Sequence, residues 1–214
     1  MKYLHSGGDP VKETLDACRK CGKDFFISYR MNDHHYVTDL TWPTHNFFWR
    51  EHPEYWLANS NTSPYARGRD DVRLFNYMIP EVRDYYYSIL EELCTNYDVD
   101  GVELDFQRFP RFFHNKQIKE GTSVMTAFVR RIREMLDAIG RRRNKSLKLC
   151  VRVPHTLGRC LAAGLDVAAW DAQELVDMIN VSPSYIHTLE LGIEEFQAQT
   201  KRAKIYGEMN YVTF

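Results

Sequence analysis

The sequence predicts an α/β fold of the (β/α)8 TIM-barrel type. Segments of strand length alternate with helical segments along the 214-residue chain, an order that builds parallel βαβ units. Each strand also divides by parity: one side is apolar, and the other turns polar toward its C-terminal end. A doubly wound sheet, covered on both faces, favours near-continuous apolar strands. A closed barrel has a distinct inner face and carries its active site at the C-terminal strand ends.

Taken in order, Asp9-Pro10 starts a helix, with Asp as the N-cap and Pro at the first helical position. Val11, Leu15 and Cys18 share a face, and Gly22 stops it. A strand is predicted over 25–31. Residues 32–73 are aromatic and polar, with Pro43, Pro53 and Pro64; a loop of that length is usually functional or carries short helices. A short strand is predicted over 73–77. Pro80 opens a helix reaching about residue 96, with Val82, Tyr86, Ile89, Leu90 and Leu93 inward. A strand over 100–107 follows. Thr122 or Ser123 is expected to cap a helix carrying Val124, Phe128, Ile132, Met135 and Ile139 at helical spacing and ending at Gly140. The basic run 141–145 after it reads as a solvated helix end. Strands are predicted over 147–153, 178–182 and 204–209, with helices over 170–177 and 193–201.

The bulk numbers bound the partners. A hydrophobic content of 44% suits one globular domain over 1–214. A formal net charge of -1 supplies no field toward nucleic acid or anionic membrane, and no apolar run reaches a membrane span. The first eight residues carry no apolar signal core. Cys18 and Cys21 form a CxxC without a second pair, so Cys18, Cys21, Cys94, Cys150 and Cys160 are read as reduced core thiols.

The segment Tyr97-Asp98-Val99-Asp100-Gly101-Val102-Glu103-Leu104-Asp105-Phe106-Gln107-Arg108-Phe109-Pro110 carries most information. Val102, Leu104 and Phe106 share one side; Glu103, Asp105 and Gln107 share the other. Two acids on one face of an apolar strand are costly to bury unless that face opens on a polar site. The other strands give matching sets: Ser28, Arg30 and Asn32; Lys148, Cys150 and Arg152; Asn180, Ser182 and Ser184; Tyr206, Glu208 and Asn210. Their polar ends converge on one rim.

This segment resembles the fourth-strand signature of glycoside-hydrolase-like TIM barrels, the glycosyl hydrolases distantly similar to the family 10 and alpha-amylase-type barrels. Ser28-Tyr29-Arg30-Met31-Asn32-Asp33-His34-His35 resembles their second-strand segment. His52-Pro53-Glu54-Tyr55-Trp56, Pro80-Glu81-Val82-Arg83-Asp84-Tyr85, and Gly164-Leu165-Asp166-Val167 with Trp170 and Leu175-Val176-Asp177 also resemble theirs. On this register strands two to seven are visible. A full barrel needs roughly 250 residues, so the chain is expected to be an incomplete barrel.

The resemblance implies glycosidic-bond hydrolysis in an oligo- or polysaccharide by two carboxyl groups. It places Asp105 at the mouth of strand four and Glu208 at the mouth of strand seven as the catalytic pair, with the nucleophile left open. Glu103, one inward position deeper, is expected to hold Arg30 or Arg152 in a buried ion pair. Asn32, Asp33, His34, His35, Arg108 and His155, at or after strand ends, are candidate sugar-binding groups. Trp42 and Trp49 are candidate stacking surfaces in the aromatic loop, most of which should pack onto the barrel. No cofactor and no metal are expected, since three adjacent residues such as Asp33, His34 and His35 cannot easily face one ion. The alternatives are a non-catalytic carbohydrate-binding barrel and a metal-dependent barrel lyase or isomerase.

Overall fold

The computed structural model describes residues 6–58, 72–107, 109–183 and 190–209. Among the described residues five strands form one parallel sheet: β1 (Phe26–Arg30), β2 (Gly101–Asp105), β3 (Lys148–Pro154), β4 (Met178–Ser182) and β5 (Lys204–Gly207), neighbours in chain order. The helices are α1 (Pro10–Lys20), α2 (Phe47–Glu51), α3 (Pro80–Asn96), α4 (Ile118–Arg143), α5 (Leu157–Ala162), α6 (Val167–Ala172) and α7 (Ile193–Gln199), with 3-10 turns at Pro53–Tyr55 and Asn115–Gln117. Sequential strand order distinguishes this sheet from a doubly wound one, whose order reverses at a switch point.

Parity governs the packing. Val102, Leu104, Leu149, Val151, Val153, Ile179 and Val181 are fully buried, in one core with Leu90 of α3, Ile132 and Leu136 of α4 and Phe196 of α7. The opposite face carries Ser28, Lys148, Lys204 and Tyr206, all exposed. Register aligns this face across strands: Ser28, Glu103, Cys150, Met178 and Lys204 lie side by side, and Arg30, Asp105, Arg152, Asn180 and Tyr206 form the next row toward the C-terminal ends.

The local signals explain most elements. Asp9 Oδ1 accepts the Lys12 amide at 2.9 Å, capping α1 ahead of Pro10. Asp100 fixes α1 against the sheet by accepting from Arg19 Nη1 at 2.6 Å and from the Phe25 amide at 2.7 Å. The neighbouring Gly101 has its own cause. A Cβ there would overlap the Lys148 carbonyl oxygen and the Phe26 ring, so only glycine lets β1, β2 and β3 approach this closely.

Several expectations are corrected. No strand forms at 73–77; Phe75 makes only an isolated antiparallel bridge to Trp56, and β1 pairs directly with β2. The backbone there is used elsewhere: Leu57 bonds Leu74, and Tyr77 bonds Phe112. Five of the six expected strands are therefore present. α4 begins at Ile118, and Thr122 bonds back to the Ile118 carbonyl inside the helix instead of capping it. It passes Gly140 and stops where Asn144 adopts φ 50°, a left-handed C-cap. Arg143 then donates at 2.8 Å to both the Tyr97 and Thr95 carbonyls at the end of α3, so the basic run is partly used in tying two helices together. The helix expected over 170–177 lies earlier, as α6, and α5 is an additional helix before it; Asp166 caps α6 through the Ala169 amide. All five cysteines are free, but only Cys94, Cys150 and Cys160 are buried.

Candidate active site

At the C-terminal rim Arg152 joins the two predicted acids. Its Nη1 lies 3.0 Å from both Asp105 oxygens. Its Nη2 donates to Glu208 Oε1 at 2.8 Å and to Ser182 Oγ at 3.2 Å, and its Nε donates to Glu208 Oε2. The Asp105 and Glu208 carboxylates therefore flank one guanidinium. Two hydrogen-bond lengths and the width of that group keep them within on the order of 8 Å, inside the range of two-carboxylate sites. Arg30 Nε lies 3.7 Å from Asp105 Oδ2, too far for a hydrogen bond, so it acts there through charge.

The two acids sit in unlike surroundings. Asp105 is 5% exposed. Burial pushes its carboxyl up, and this outweighs the Arg152 charge and the hydrogen bond from the Gln107 amide. Burial also pushes Glu208 up, but hydrogen bonds from Arg152 and Ser182 reverse that, leaving Glu208 lowered. The two carboxyls are thus shifted in opposite directions. Gln107 and Ser182, marked in the sequence only by parity, complete the rim: Gln107 Nε2 donates to the Ser182 carbonyl at 2.9 Å, crossing over β3.

The remaining candidates divide. Glu103 pairs with neither arginine. It accepts from Ser28 Oγ at 2.7 Å and takes long contacts, both 3.4 Å, from Cys150 Sγ and Asn180 Nδ2. Register is the reason: Glu103 lies level with Ser28 and Cys150, one row below Arg30 and Arg152. Asn32 is 3% exposed and its amide is occupied, donating to the Phe75 and Arg111 carbonyls and accepting from the Phe75 amide. It clamps the loop beyond β1 and has no group left for a sugar. Trp49 is also buried, its Nε1 donating to the Arg73 carbonyl at 3.0 Å and its ring 4.7 Å from that of Trp56.

Asp33 stays exposed, accepting from Arg30 Nη1 at 3.0 Å and from the His35 amide and ring. His34 and His35 both pack edge-on against Phe109. Trp42 is half-buried and stacks on Tyr36 at 3.9 Å. His155 is half-buried after β3; burial, then the Arg159 charge, lowers its imidazole. Arg108 lies outside the described residues. Among the described residues no three His, Cys, Asp or Glu side chains are grouped to hold a metal.

No family model matches the chain. A curated glycosyl hydrolase, YngK of Bacillus subtilis (strain 168), is 30% identical over 107 residues, 49% of this chain. The likeness is to glycoside hydrolases. The chain spans only 19% of that relative's length. Among solved structures, a cycloisomaltooligosaccharide glucanotransferase from a Paenibacillus species superposes with a TM-score of 0.56 over 94% of this chain and 29% of its own, at 13% identity. A noncanonic maltogenic alpha-amylase, AmyB of Thermotoga neapolitana, gives 0.50 over 92% of this chain and 40% of its own, at 15% identity. At those identities the superpositions show shared fold. The glycoside-hydrolase-like resemblance read from the strand-end motifs stands at the level of the class, with no one family within it singled out.

Proposed function

We propose that this chain carries the catalytic face of a glycosidase, in which Asp105 and Glu208 act as a carboxyl pair on an oligo- or polysaccharide. The observation that carries the proposal is the Arg152 bridge, which holds an acid with a raised pKa and an acid with a lowered pKa on either side of one guanidinium. Opposed environments are how two carboxyl groups take the separate roles of proton donor and anion. Asp105, whose carboxyl burial pushes up against the pull of Arg152, takes the part of the acid that gives its proton to the departing glycosidic oxygen. Glu208, ionised and more open, faces the developing positive charge as nucleophile or as base for water. Arg152 is a positioning residue for both. The five strands are read as part of a (β/α)8 barrel within a single domain. Their sequential parallel order, helix-covered outer side and polar inner side favour this.

A second reading is favoured by the same bridge. Arg152 already occupies both oxygens of each acid, and a satisfied ion-pair network is also what a carbohydrate-binding barrel without cleavage would retain. Incubation with a panel of neutral oligosaccharides, followed by chromatography of released sugars, separates the two. The glycosidase reading predicts cleavage by the parent chain and its loss in Asp105→Asn. Binding without release would leave the second reading.

A further inference from the structure

We propose that Tyr36, backed by Trp42, is a stacking platform for a neutral sugar ring at the edge of the mouth. This outer binding position rests on the glycosidase reading above. The Trp42 ring covers Tyr36 at 3.9 Å and an interplanar angle of 13°, yet Tyr36 keeps 52% of its surface in solvent. Its backbone adopts φ 55°, a left-handed conformation that costs a bulky L-residue free energy. Burial of its own ring does not offset that cost. The neighbours hold it in place: Val37 is 1% exposed, and the Tyr36 carbonyl meets the Asp39 amide at 2.9 Å and His45 Nε2 at 3.0 Å. Backbone strain that the surroundings maintain at an exposed aromatic residue is a signature of a binding element.

The position of the platform fits a glycan. Asp33, three residues earlier, is paired with Arg30 at 3.0 Å, and Arg30 lies 3.7 Å from Asp105. The platform loop therefore connects to the candidate acid through two charge contacts. A cavity of about 130 Å³ lies on the same loop, lined by Asp33, His35, Thr44, His45 and Asn46 among others. It offers both donors and acceptors for hydroxyl groups. A pyranose presents an apolar C–H face and a polar rim, which matches a flat ring beside such a cavity. A nucleobase would stack equally well, but base platforms accompany a cationic groove, and the charged side chain in this lining is the carboxylate of Asp33.

Calorimetric titration of the full chain with malto-, cello- and chito-oligosaccharides tests the platform. One class should bind, and Tyr36→Ala and Trp42→Ala should each weaken it about tenfold. Tyr36→Phe should bind as the parent does. Tyr36→Gly relieves the φ strain and removes the ring, so it should bind as weakly as Tyr36→Ala with an unfolding midpoint no lower than the parent's. Parental binding by Tyr36→Ala and Tyr36→Gly, with the sugar still cleaved, would overturn the platform and leave the glycosidase reading intact. Failure of the parent chain to bind any oligosaccharide would overturn both.

Discussion

Arg152 Nη1 lies equidistant, at 3.0 Å, from the two oxygens of Asp105, a carboxylate only 5% exposed. Removing the arginine would strand that acid in the core. Arg152→Ala should destabilise the fold by about 3 kcal/mol, the cost of leaving one partner of a buried pair alone. Arg152→Lys should recover only part of this, because one ammonium cannot serve Asp105, Glu208 and Ser182 in the same fork geometry. Urea unfolding midpoints measure both; a loss below about 0.5 kcal/mol, the range of surface changes, would contradict the bridge.

Asp100 gives a pH dependence whose sign follows from its surroundings. Burial raises its carboxyl, but the hydrogen bonds from Arg19, Lys145 and the Phe25 amide prevail and bring it down to about 2. Its folded pKa is therefore below the unfolded value of about 3.9. The stability it contributes is present above about pH 4 and is lost as pH falls toward 2. With part of the cluster exposed to solvent, this contribution should be on the order of 1 kcal/mol. Stability curves of the parent and Asp100→Asn should converge at the acid end and separate by that amount near neutrality.

Gly101→Ala should cost about 1–3 kcal/mol, as overpacking does. The added methyl would meet the Lys148 carbonyl, which is backbone and cannot move aside without disturbing the β2–β3 ladder. Thermal unfolding would record this, whereas alanine at Gly158, inside α5 where the space is open, should leave the midpoint no lower than the parent's.

Asn32→Leu should behave as a folding variant. It keeps the branched side-chain outline but removes partners from the Phe75 amide and from the Phe75 and Arg111 carbonyls. Backbone groups stranded in the core cost about 1–3 kcal/mol each. A drop in denaturation midpoint of that order is expected; an unchanged midpoint with weakened oligosaccharide affinity would return Asn32 to the binding surface.

Parity along a single strand made much of this site legible. Asp105, Arg152 and Glu208 were placed on one face from alternation alone, and register confirms the alignment of Asp105 with Arg152. Rows across strands were less accessible, because sequence alternation says which side a residue faces but not which neighbour lies level with it. Alternation alone accordingly points Glu103 to an arginine, where register supplies Ser28 and Cys150. The extended look of 73–77 misled for a related reason: apolar residues also line a loop that bonds to loops, as Tyr77 does to Phe112. Asn32 and Trp49 suit sugar binding by type and place, and their burial and occupied polar groups become visible only in the fold. Tyr36 carried no sequence signal, since a positive φ at a non-glycine residue is imposed by its surroundings.

A double-mutant cycle on turnover of whichever oligosaccharide the parent cleaves tests the central claim most directly. Asp105→Asn and Glu208→Gln should each lower kcat by about 10²–10⁴-fold, the worth of a positioned acid or base. The double variant should fall little further than the worse single, as residues that act as a unit do. Parental kcat in either single variant, with the fold intact by circular dichroism, would contradict the pairing of Asp105 with Glu208.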